Sequence, residues 1–336
     1  MNEREAPEQE VVVSSRVRLA RNFSDRPFTP LMNAELAQQN IERVLGALDA
    51  GDDKRYDFYR MNELSEEMRA SLVERHLISN DLTKNLDWAA ALIDKAQCVS
   101  VMINEEDHLR IQGLLPGLQL ERAAELAFQV DDQMSAHAEF AFDSQWGYLT
   151  SCPTNTGTGM RASTMLHLPA LNAAGQIGQI GQAIAKLGMT MRGLDGEGSD
   201  AVGCMYLISN QVTLGRAEED ILRSLIAATM QVSGHERATR EQMLSQDATG
   251  VTDKLMRSLG ILKYARVMTP TEMMTRMSDL RLAVTLGLAD CPLPEIDRWT
   301  IELKTGTLSA RSAEKLSERA RDVLRAELLR EKLRAV

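Results

Sequence analysis

One stretch of this chain, Ser151-Cys152-Pro153-Thr154-Asn155-Thr156-Gly157-Thr158-Gly159-Met160-Arg161-Ala162-Ser163, does not have the composition of a packing element. It combines a Cys-Pro pair, a Gly-Thr-Gly triplet and an arginine. Glycines at this density let backbone amides approach an anion, and Arg161 can complete such a cradle. Nearby positive charge would favour the thiolate form of Cys152. The stretch therefore predicts an anion-binding loop with a reactive thiol beside it.

The composition of the whole chain is that of a globular protein with about two domains. The 336 residues are 44% hydrophobic and 26% charged, and the net charge is −10. This acidity argues against general binding to nucleic acid or anionic membranes, and it suits a basic partner or a cationic substrate. The four cysteines are far apart and form no C-x-x-C pair, so we predict neither a disulfide framework nor a structural metal site.

The start of the chain, residues 1–10, is acidic and contains no apolar run of the signal-peptide type. No stretch of about 18 apolar residues occurs, so no membrane-spanning helix is predicted. A cytoplasmic protein is the expectation.

The pattern of apolar residues divides the chain into three parts. Residues 1–10 are predicted to be a flexible leader. Residues 11–216 mix helices with non-alternating strands and show no β-α-β repeat, which favours an α+β domain with an antiparallel sheet flanked by helices. Residues 217–336 are predicted to form an all-α domain, with helices at 217–245, 250–265, 270–288, 293–303 and 311–334. Thr269 is the candidate cap of the helix at 270–288, and Ser312 is the candidate cap of the helix at 311–334.

Four further motifs accompany the Cys-Pro loop, and the five occur in an order typical of one family. They are Ser14-Ser15-Arg16-Val17-Arg18, Asn104-Glu105-Glu106-Asp107-His108-Leu109-Arg110, Arg192-Gly193-Leu194-Asp195-Gly196-Glu197 and the short Ser209-Asn210. Alone, the first would be read as a surface strand and the second as a solvated turn. Together with the loop they resemble the catalytic domain of the phosphagen (guanidino) kinases.

The resemblance implies ATP as phosphoryl donor, Mg²⁺ as its metal ion, and a role for each matching residue. Glu106 and Glu197 match the carboxylates that grip the guanidinium, and Cys152 would add negative charge beside it. Residues implied in ATP binding are Ser14, Ser15, Arg16, Val17, Arg18, His76, Arg110, Arg161, Ala162, Ser163, Thr164, Met165, Arg192, Gly193, Leu194, Asp195, Gly196 and Glu197. His76 is read as a residue on a helix that packs on adenine.

This cast of residues suits the chemistry of phosphorylating a guanidinium. Phosphoryl transfer depends mainly on charge neutralisation and alignment, which clustered arginines provide. The acceptor has a pKa above about 12 and is a poor nucleophile while protonated. Two carboxylates can hold its planar N–H groups, and one can then accept a proton.

Two features indicate that the acceptor is a protein. The chain has thirteen residues before Ser14, whereas kinases of free creatine or arginine carry a helical domain there. The segment Arg321-Asp322-Val323-Leu324-Arg325-Ala326 resembles the Arg-Asp-x-x-Arg-Ala motif of bacterial protein arginine kinases. In that group Arg321, Asp322, Arg325 and Ala326 would form an allosteric phosphoarginine site. The same helix also has an apolar stripe that includes Val323, and because the stripe and the motif can lie on different faces, we expect the helix both to pack and to bind.

The leading hypothesis is a protein arginine kinase that marks proteins for degradation in the stress response and is stimulated by phosphoarginine. Two alternatives stay open: a kinase of free arginine or another small guanidino compound, and a non-catalytic phosphoarginine-binding adaptor. The resemblance also implies arginine-containing protein substrates such as a stress-gene repressor, a zinc-binding activator protein, a Clp-type protease, and a homodimer or higher homo-oligomer formed through the helical domain.

Overall fold

The computed structural model describes residues 6–48, 55–194, 201–312 and 314–335. In this part of the chain, an eight-stranded sheet has the strand order β2-β3-β4-β5-β1-β8-β10-β9, and a two-stranded hairpin pairs β6 with β7. Pairing is antiparallel between β1 and β5, β2 and β3, β3 and β4, and β4 and β5. The strands are β1 Val12–Arg21, β2 Tyr56–Arg60, β3 Ala90–Asp94, β4 Val99–Ile103, β5 Leu109–Pro116, β6 Phe142–Asp143, β7 Gly147–Tyr148, β8 Met160–His167, β9 Met189–Gly193 and β10 Met205–Asn210.

Within these described ranges, five α-helices lie between the strands along the chain, and the residues after β10 are mainly helical. They are α1 Ala34–Leu48, α2 Glu66–Glu74, α3 Leu120–Ser135, α4 Pro169–Ala173, α5 Ile177–Lys186, α6 Glu218–Tyr264, α7 Pro270–Thr285, α8 Leu293–Glu302, α9 Thr305–Ala310 and α10 Glu318–Lys332. The predicted α+β class with a following helical region is confirmed. None of the helices in the described part of the chain is both long and apolar enough to cross a bilayer.

The chain separates into two compact units, which differ from a simple split along the sequence. One contains Ser14–Thr164 and Ser209–Ile226, and the other contains Met1–Val13, Met165–Ile208 and Ala227–Val336. The first unit has a core cluster around Met61, Leu82 and Met102. The second has a larger cluster of leucines, methionines and Trp299 on α6 to α10. The domain bounds 11–216 and 217–336 stay a prediction.

Several helix boundaries follow local rules that are visible in the sequence. Thr269 caps α7, where its side chain accepts a hydrogen bond from the amide of Glu272. α10 begins later than predicted: Ser317, rather than Ser312, caps it by accepting from the amide of Ala320. The two helices predicted at 217–245 and 250–265 are joined in α6, which is interrupted by non-helical backbone at Asp247.

The flexible leader at residues 1–10 stays a prediction, and the described end of this segment, residues 6–10, makes contacts with arginines of the helical region. Arg281 donates hydrogen bonds from its guanidinium to the carbonyl oxygens of Gln9 and Glu10. Arg237 forms ion pairs with Glu8 and Glu10. The segment is therefore held by buried and half-buried arginines of α6 and α7, whose charges the sequence pattern did not connect with the N-terminus.

Candidate active site

Strand β1 presents two arginines on one of its faces and packs the other face against the protein. Val17 and Ser15 are fully buried, and the Ser15 hydroxyl donates to the carbonyl of Gly117 at 2.8 Å. Arg16 and Arg18 alternate with them and are half-buried. The side chains of Ser15 and Val17 therefore pack on the face opposite the arginines, and their place in the ATP site stays a prediction.

The arginines of β1 lie in a cluster of positive charge. The pKa of Arg16 is lowered to about 10. Burial is the main cause, and the positive charges of Arg110 and Arg161 also contribute. Burial likewise holds the pKa of Arg18 well below its ordinary value, with contributions from Arg16, Arg110 and Arg161. The Nε atom of Arg18 is buried and has no hydrogen-bond partner among the residues that the structure describes. Guanidinium groups crowded in this way are stabilised when an anion lies among them.

The turn between β4 and β5 carries consecutive carboxylates in different surroundings. Glu105 is buried, and its Oε1 accepts from Nη1 of Arg110 at 2.5 Å and also from the hydroxyl of Ser79. The side chain of Glu106 is 40% exposed, and its Oε2 lies 3.2 Å from Nη2 of Arg110. Asn104, in left-handed backbone at φ 59°, begins the turn. Thus the turn buries one carboxylate as a partner for Arg110 and leaves the next one accessible.

Glu106 lies beside the Cys-Pro loop. The Cys152 side chain lies close enough to this carboxylate to act on its pKa, and Nδ2 of Asn155 lies 3.4 Å from Oε2 of Glu106. Burial raises the pKa of Glu106, and the negative charges of Asp107 and Glu105 act in the same direction. The Cys152 thiol also lies 3.0 Å from the hydroxyl of Thr154. A carboxylate with a raised pKa is closer to the range where a general base works near neutral pH.

The strand that follows the loop is mostly buried. Ala162 and Thr164 have no exposed surface, and Ser163 and Met165 are nearly as covered. Ser163 Oγ accepts a weak hydrogen bond from Nε of Arg16 at 3.5 Å. The predicted contacts of Ala162 and Thr164 with ATP are therefore not made by exposed side chains, because β8 lies inside the sheet.

His76 lies beyond the end of α2 and not on a helix. Its backbone is left-handed, at φ 60°, and its amide donates to the carbonyl of Val73. Its own carbonyl accepts a hydrogen bond from Nε2 of Gln112 at 2.8 Å. The turn therefore fixes the His76 backbone to β5.

The Gly-rich motif near residue 192 is only partly described. Arg192 is an exposed residue of β9, followed by Gly193 and Leu194. The predicted residues Asp195, Gly196 and Glu197 lie outside the described residues. Ser14, the first residue of the predicted ATP site, is half-buried on β1 and lies opposite Pro116.

Helix α10 places the C-terminal motif differently from a simple surface site. Arg325 is fully buried and donates to the carbonyls of Leu303 and Met268 at 2.8 Å and to Asp322 Oδ1 at 2.6 Å. Arg321 is half-buried and donates to the carbonyl of Leu316 at 2.9 Å. Ala326 belongs to the core, whereas Val323, assigned to the apolar stripe, is 41% exposed.

Several polar residues around this site have no separate role in the sequence motifs. Glu105 and Asn155 contact the site side chains directly, and Asp107 and Asn22 are buried just behind them. Glu105 and Asp107 belong to the acidic motif and Asn155 belongs to the Cys-Pro loop, so their positions in the sequence could have indicated that they lie at the site. Asn22 follows β1 with no distinguishing pattern. In the described ranges, no group of three or more His, Cys, Asp or Glu residues could hold a metal ion.

Comparison with known proteins agrees with this geometry. The family described as ATP:guanido phosphotransferase, C-terminal catalytic domain, matches residues 37–239, and the Protein-arginine kinase McsB C-terminal domain matches residues 248–336. The protein-arginine kinase of Caldanaerobacter subterraneus subsp. tengcongensis is 43% identical, over 95% of this chain and 96% of that relative. That of Geobacillus stearothermophilus is also 43% identical, over 98% and 92%.

Solved structures show the same fold. Lombricine kinase superposes with a TM-score of 0.61 at 23% identity, covering 71% of this chain and 69% of that one. The duplicated taurocyamine kinase from Schistosoma mansoni, with transition-state analogue components, gives a TM-score of 0.58 at 25% identity. The match covers 70% of this chain and 34% of that one.

Proposed function

This chain belongs to the ATP:guanido phosphotransferase family and, over nearly its whole length, to its protein-arginine kinases, and we propose that it transfers the γ-phosphoryl group of ATP to arginine side chains of proteins through the site around Glu106. The observation that carries this assignment is one juxtaposition. A cluster of guanidinium groups lies in the same unit as a half-exposed carboxylate that has Cys152 nearby. Within the described residues, the buried Nε of Arg18 in this cluster has no hydrogen-bond partner.

The arginine cluster fits the phosphates of ATP. Arg16 and Arg18 have lowered pKa values because burial and like charges disfavour their charged forms, and the phosphates would remove that penalty. Arg110 already has a buried counter-charge in Glu105 and keeps a second nitrogen near Glu106. We propose that Mg²⁺ binds together with the nucleotide and is held by its phosphates. The ion would neutralise phosphate charge there.

Glu106 has the position and the pKa expected of the group that activates the acceptor. Its Oε2 would hold an N–H of the arginine side chain and take that proton as the nitrogen attacks the γ-phosphorus. The N–P bond forms as the bond from phosphorus to the β,γ-bridging oxygen breaks, and ADP leaves with that electron pair. Cys152 lies against the same carboxylate and would contribute a polar, negative wall for the cation. Family resemblance adds Glu197 as a second carboxylate and Arg192 as a further phosphate ligand.

The test is to incubate the protein with Mg-ATP and an arginine-rich protein and to measure phosphoarginine by mass spectrometry under non-acidic conditions. Glu106→Gln keeps the shape but removes the base, so we expect phosphoarginine formation to fall by a factor of about 10² to 10⁴. Glu139→Gln, an exposed acid of the same unit, is the matched control and should retain activity. An active Glu106→Gln enzyme would overturn the role of Glu106.

A parallel reaction with free arginine separates the main alternative. The structural neighbours include kinases named for the small guanidino compounds lombricine and taurocyamine. Release of ADP with free arginine but not with protein would establish a small-molecule kinase instead. Phosphoarginine binding without any transfer would identify an adaptor.

We further propose that the segment 321–326 of α10 binds phosphoarginine and stimulates the kinase. Support comes from the C-terminal family match over residues 248–336 and from the half-buried position of Arg321. The bonds of Arg325 to Leu303 and Met268 suit a residue that shapes the pocket and fixes Asp322. Added phosphoarginine should stimulate the wild type and the Arg319→Ala control but not Arg321→Ala, because Arg319 is exposed on the same helix. Equal stimulation of all three proteins would refute this site.

The wider role follows from the same resemblance. We propose that the phosphoarginine mark directs substrates, such as a stress-gene repressor, to a Clp-type protease in the cytoplasm. A zinc-binding activator protein and self-association through the helical region complete this proposal. Pull-down of the protease by arginine-phosphorylated substrate, but not by the same substrate dephosphorylated, is the direct measurement.

A further inference from the structure

A buried polar junction lies directly behind the candidate site, and its centre is the side chain of Asn22. This residue follows the last residue of β1 and is 1% exposed. Its Nδ2 donates to Oδ1 of Asp107 at 2.7 Å and to the carbonyl of Leu149 at 3.2 Å. Its Oδ1 accepts from the amide of His108 at 2.8 Å. One amide side chain thereby joins the end of β1, the acidic turn and the segment that enters the Cys-Pro loop.

Asp107 extends the junction to the loop itself. The same Oδ1 that receives Asn22 also accepts a hydrogen bond from the amide of Ser151 at 2.7 Å. Asp107 is 2% exposed, and in the described part of the chain neither its Oδ2 nor the buried hydroxyl of Ser151 has a hydrogen-bond partner. The hydrogen bonds from Asn22 and from the Ser151 amide to Oδ1 therefore fix the orientation of this carboxylate. Buried hydrogen bonds of this kind cannot be replaced by bonds to water when a partner is removed.

The junction contacts neither of the reacting groups but lies one residue from each. Glu106 immediately precedes Asp107, and Cys152 immediately follows Ser151. Asn22 and the amide of Ser151 donate to the same oxygen of Asp107. A displacement of Asp107 would therefore shift the acidic turn and at the same time release the start of the Cys-Pro loop. The separation of Glu106 and Cys152 thus depends on how Asp107 is held.

From this arrangement we infer that Asn22 is a positioning residue for phosphoryl transfer, which sets the place of Glu106 relative to Cys152 through Asp107. The inference rests on the proposed function, since it assigns Asn22 to the same reaction. It acts through buried hydrogen bonds and not through contact with either substrate. A displacement of about 1 Å at a reacting group is enough to reduce a rate about 100-fold.

The first test compares Asn22→Ala with the wild type in rate, nucleotide binding and stability. We expect kcat for phosphoarginine formation to fall about 10-fold to 100-fold, while the Kd for ATP changes by less than about threefold. Asp94→Ala is the matched control: Asp94 is also buried in the same unit and accepts two backbone amides, those of Cys98 and Val99. Asp94 is the last residue of β3 and lies beside the start of β4, whereas the acidic turn follows the other end of β4, about 13 Å along that strand. This control should lose stability but keep kcat, so a matching loss of kcat in both variants would overturn the inference.

A second variant pair tests the specific bond. Asn22→Asp places a carboxylate where the Asn22 amide lay, 2.7 Å from Oδ1 of Asp107, and like charges at that distance repel strongly. Its kcat should be no higher than that of Asn22→Ala. Asp107→Asn is the other member of the pair: its side-chain oxygen can still accept from Asn22 and from the Ser151 amide, so its kcat should stay at least about tenfold above that of Asn22→Asp. An equal loss of kcat in the two variants would contradict the inference.

Amide hydrogen exchange provides a measurement that needs no catalysis. In Asn22→Ala the amides of His108 and Ser151 should exchange at least about tenfold faster, because the first loses its acceptor and the second loses a fixed Asp107. Unchanged exchange at both amides would overturn the junction, even in an active enzyme. A wild-type protein that forms no phosphoarginine would instead overturn the proposed function, whatever the exchange rates.

Discussion

His108 gives this protein a defined sensitivity to acid. The imidazole has no exposed surface, and its Nδ1 accepts a hydrogen bond from the amide of Phe23 at 3.0 Å. Its Nε2 lies 2.9 Å from the carbonyl of Pro27, which can only accept, so Nε2 carries the hydrogen. Both contacts therefore require the neutral ring. Burial lowers the pKa of His108 from 6.5 to about 4, with the charge of Arg26 acting in the same direction.

The size and sign of the effect follow from this lowered pKa. Between pH 6.5 and 4 the unfolded chain binds a proton at His108 and the native protein does not, so the free energy of unfolding falls as the pH is lowered. The contribution is complete above pH 6.5 and is lost as the pH falls through about 4. The full difference is about 3 kcal/mol, of which about 2 kcal/mol is lost by about pH 5.

Urea unfolding at about pH 7.5 and about pH 5 measures this contribution when His108→Gln is compared with the wild type. Glutamine can accept from Phe23 and donate to Pro27 without titrating, so its free energy of unfolding should decline by about 2 kcal/mol less. The exposed His137 supplies the control, and His137→Gln should decline like the wild type. His167, whose pKa is also lowered by burial, is present in all three proteins, and its effect cancels. If His108→Gln loses as much stability as the wild type, the assignment to His108 is wrong.

Two further predictions concern the loop and its support. Arg21 and Asp131 form a buried ion pair at 2.9 Å, so Asp131→Ala should reduce the free energy of unfolding by about 3–5 kcal/mol. Replacing both with apolar residues should cost clearly less than the two single changes together, and additive losses in denaturant titrations would contradict the pairing. Gly157 has a φ of 116°, and an added Cβ would lie 2.5 Å from the carbonyl oxygen of Thr213. Gly157→Ala should therefore destabilise the protein by about 1–3 kcal/mol, whereas Gly46→Ala, with open space in α1, should be stabilising by about 0.5–1 kcal/mol; equal melting temperatures would refute this contrast.

Local order in this protein could be predicted from short-range patterns. The apolar spacing predicted a helix at 293–303, close to α8 at Leu293–Glu302, and Thr269 before Pro270 predicted the start of α7. Both results depend on residues within a few positions of one another, because helix periodicity and capping are local properties. The five motifs likewise predicted the family, which the comparisons confirm, since each motif is a contiguous string.

Tertiary packing decided which members of those motifs face the site. Glu105 and Glu106 are indistinguishable as letters, but Ser79 and Arg110 bury the first and leave the second accessible. The C-terminal motif shows the same effect, because carbonyls 22 and 57 residues away enclose Arg325.

The same distinction explains Asn22. Its chemistry is ordinary in the sequence, and it gains a role only because Asp107 and Leu149, 85 and 127 residues distant, fold against it. The types and spacing of the residues thus determined the reaction class and the local elements of this chain. Only the tertiary structure decided which carboxylate is exposed and which buried arginine nitrogen has no hydrogen-bond partner among the described residues. It also decided which side-chain amide bonds to both the acidic turn and the segment before the Cys-Pro loop. Burial and hydrogen-bond satisfaction depend on distant segments.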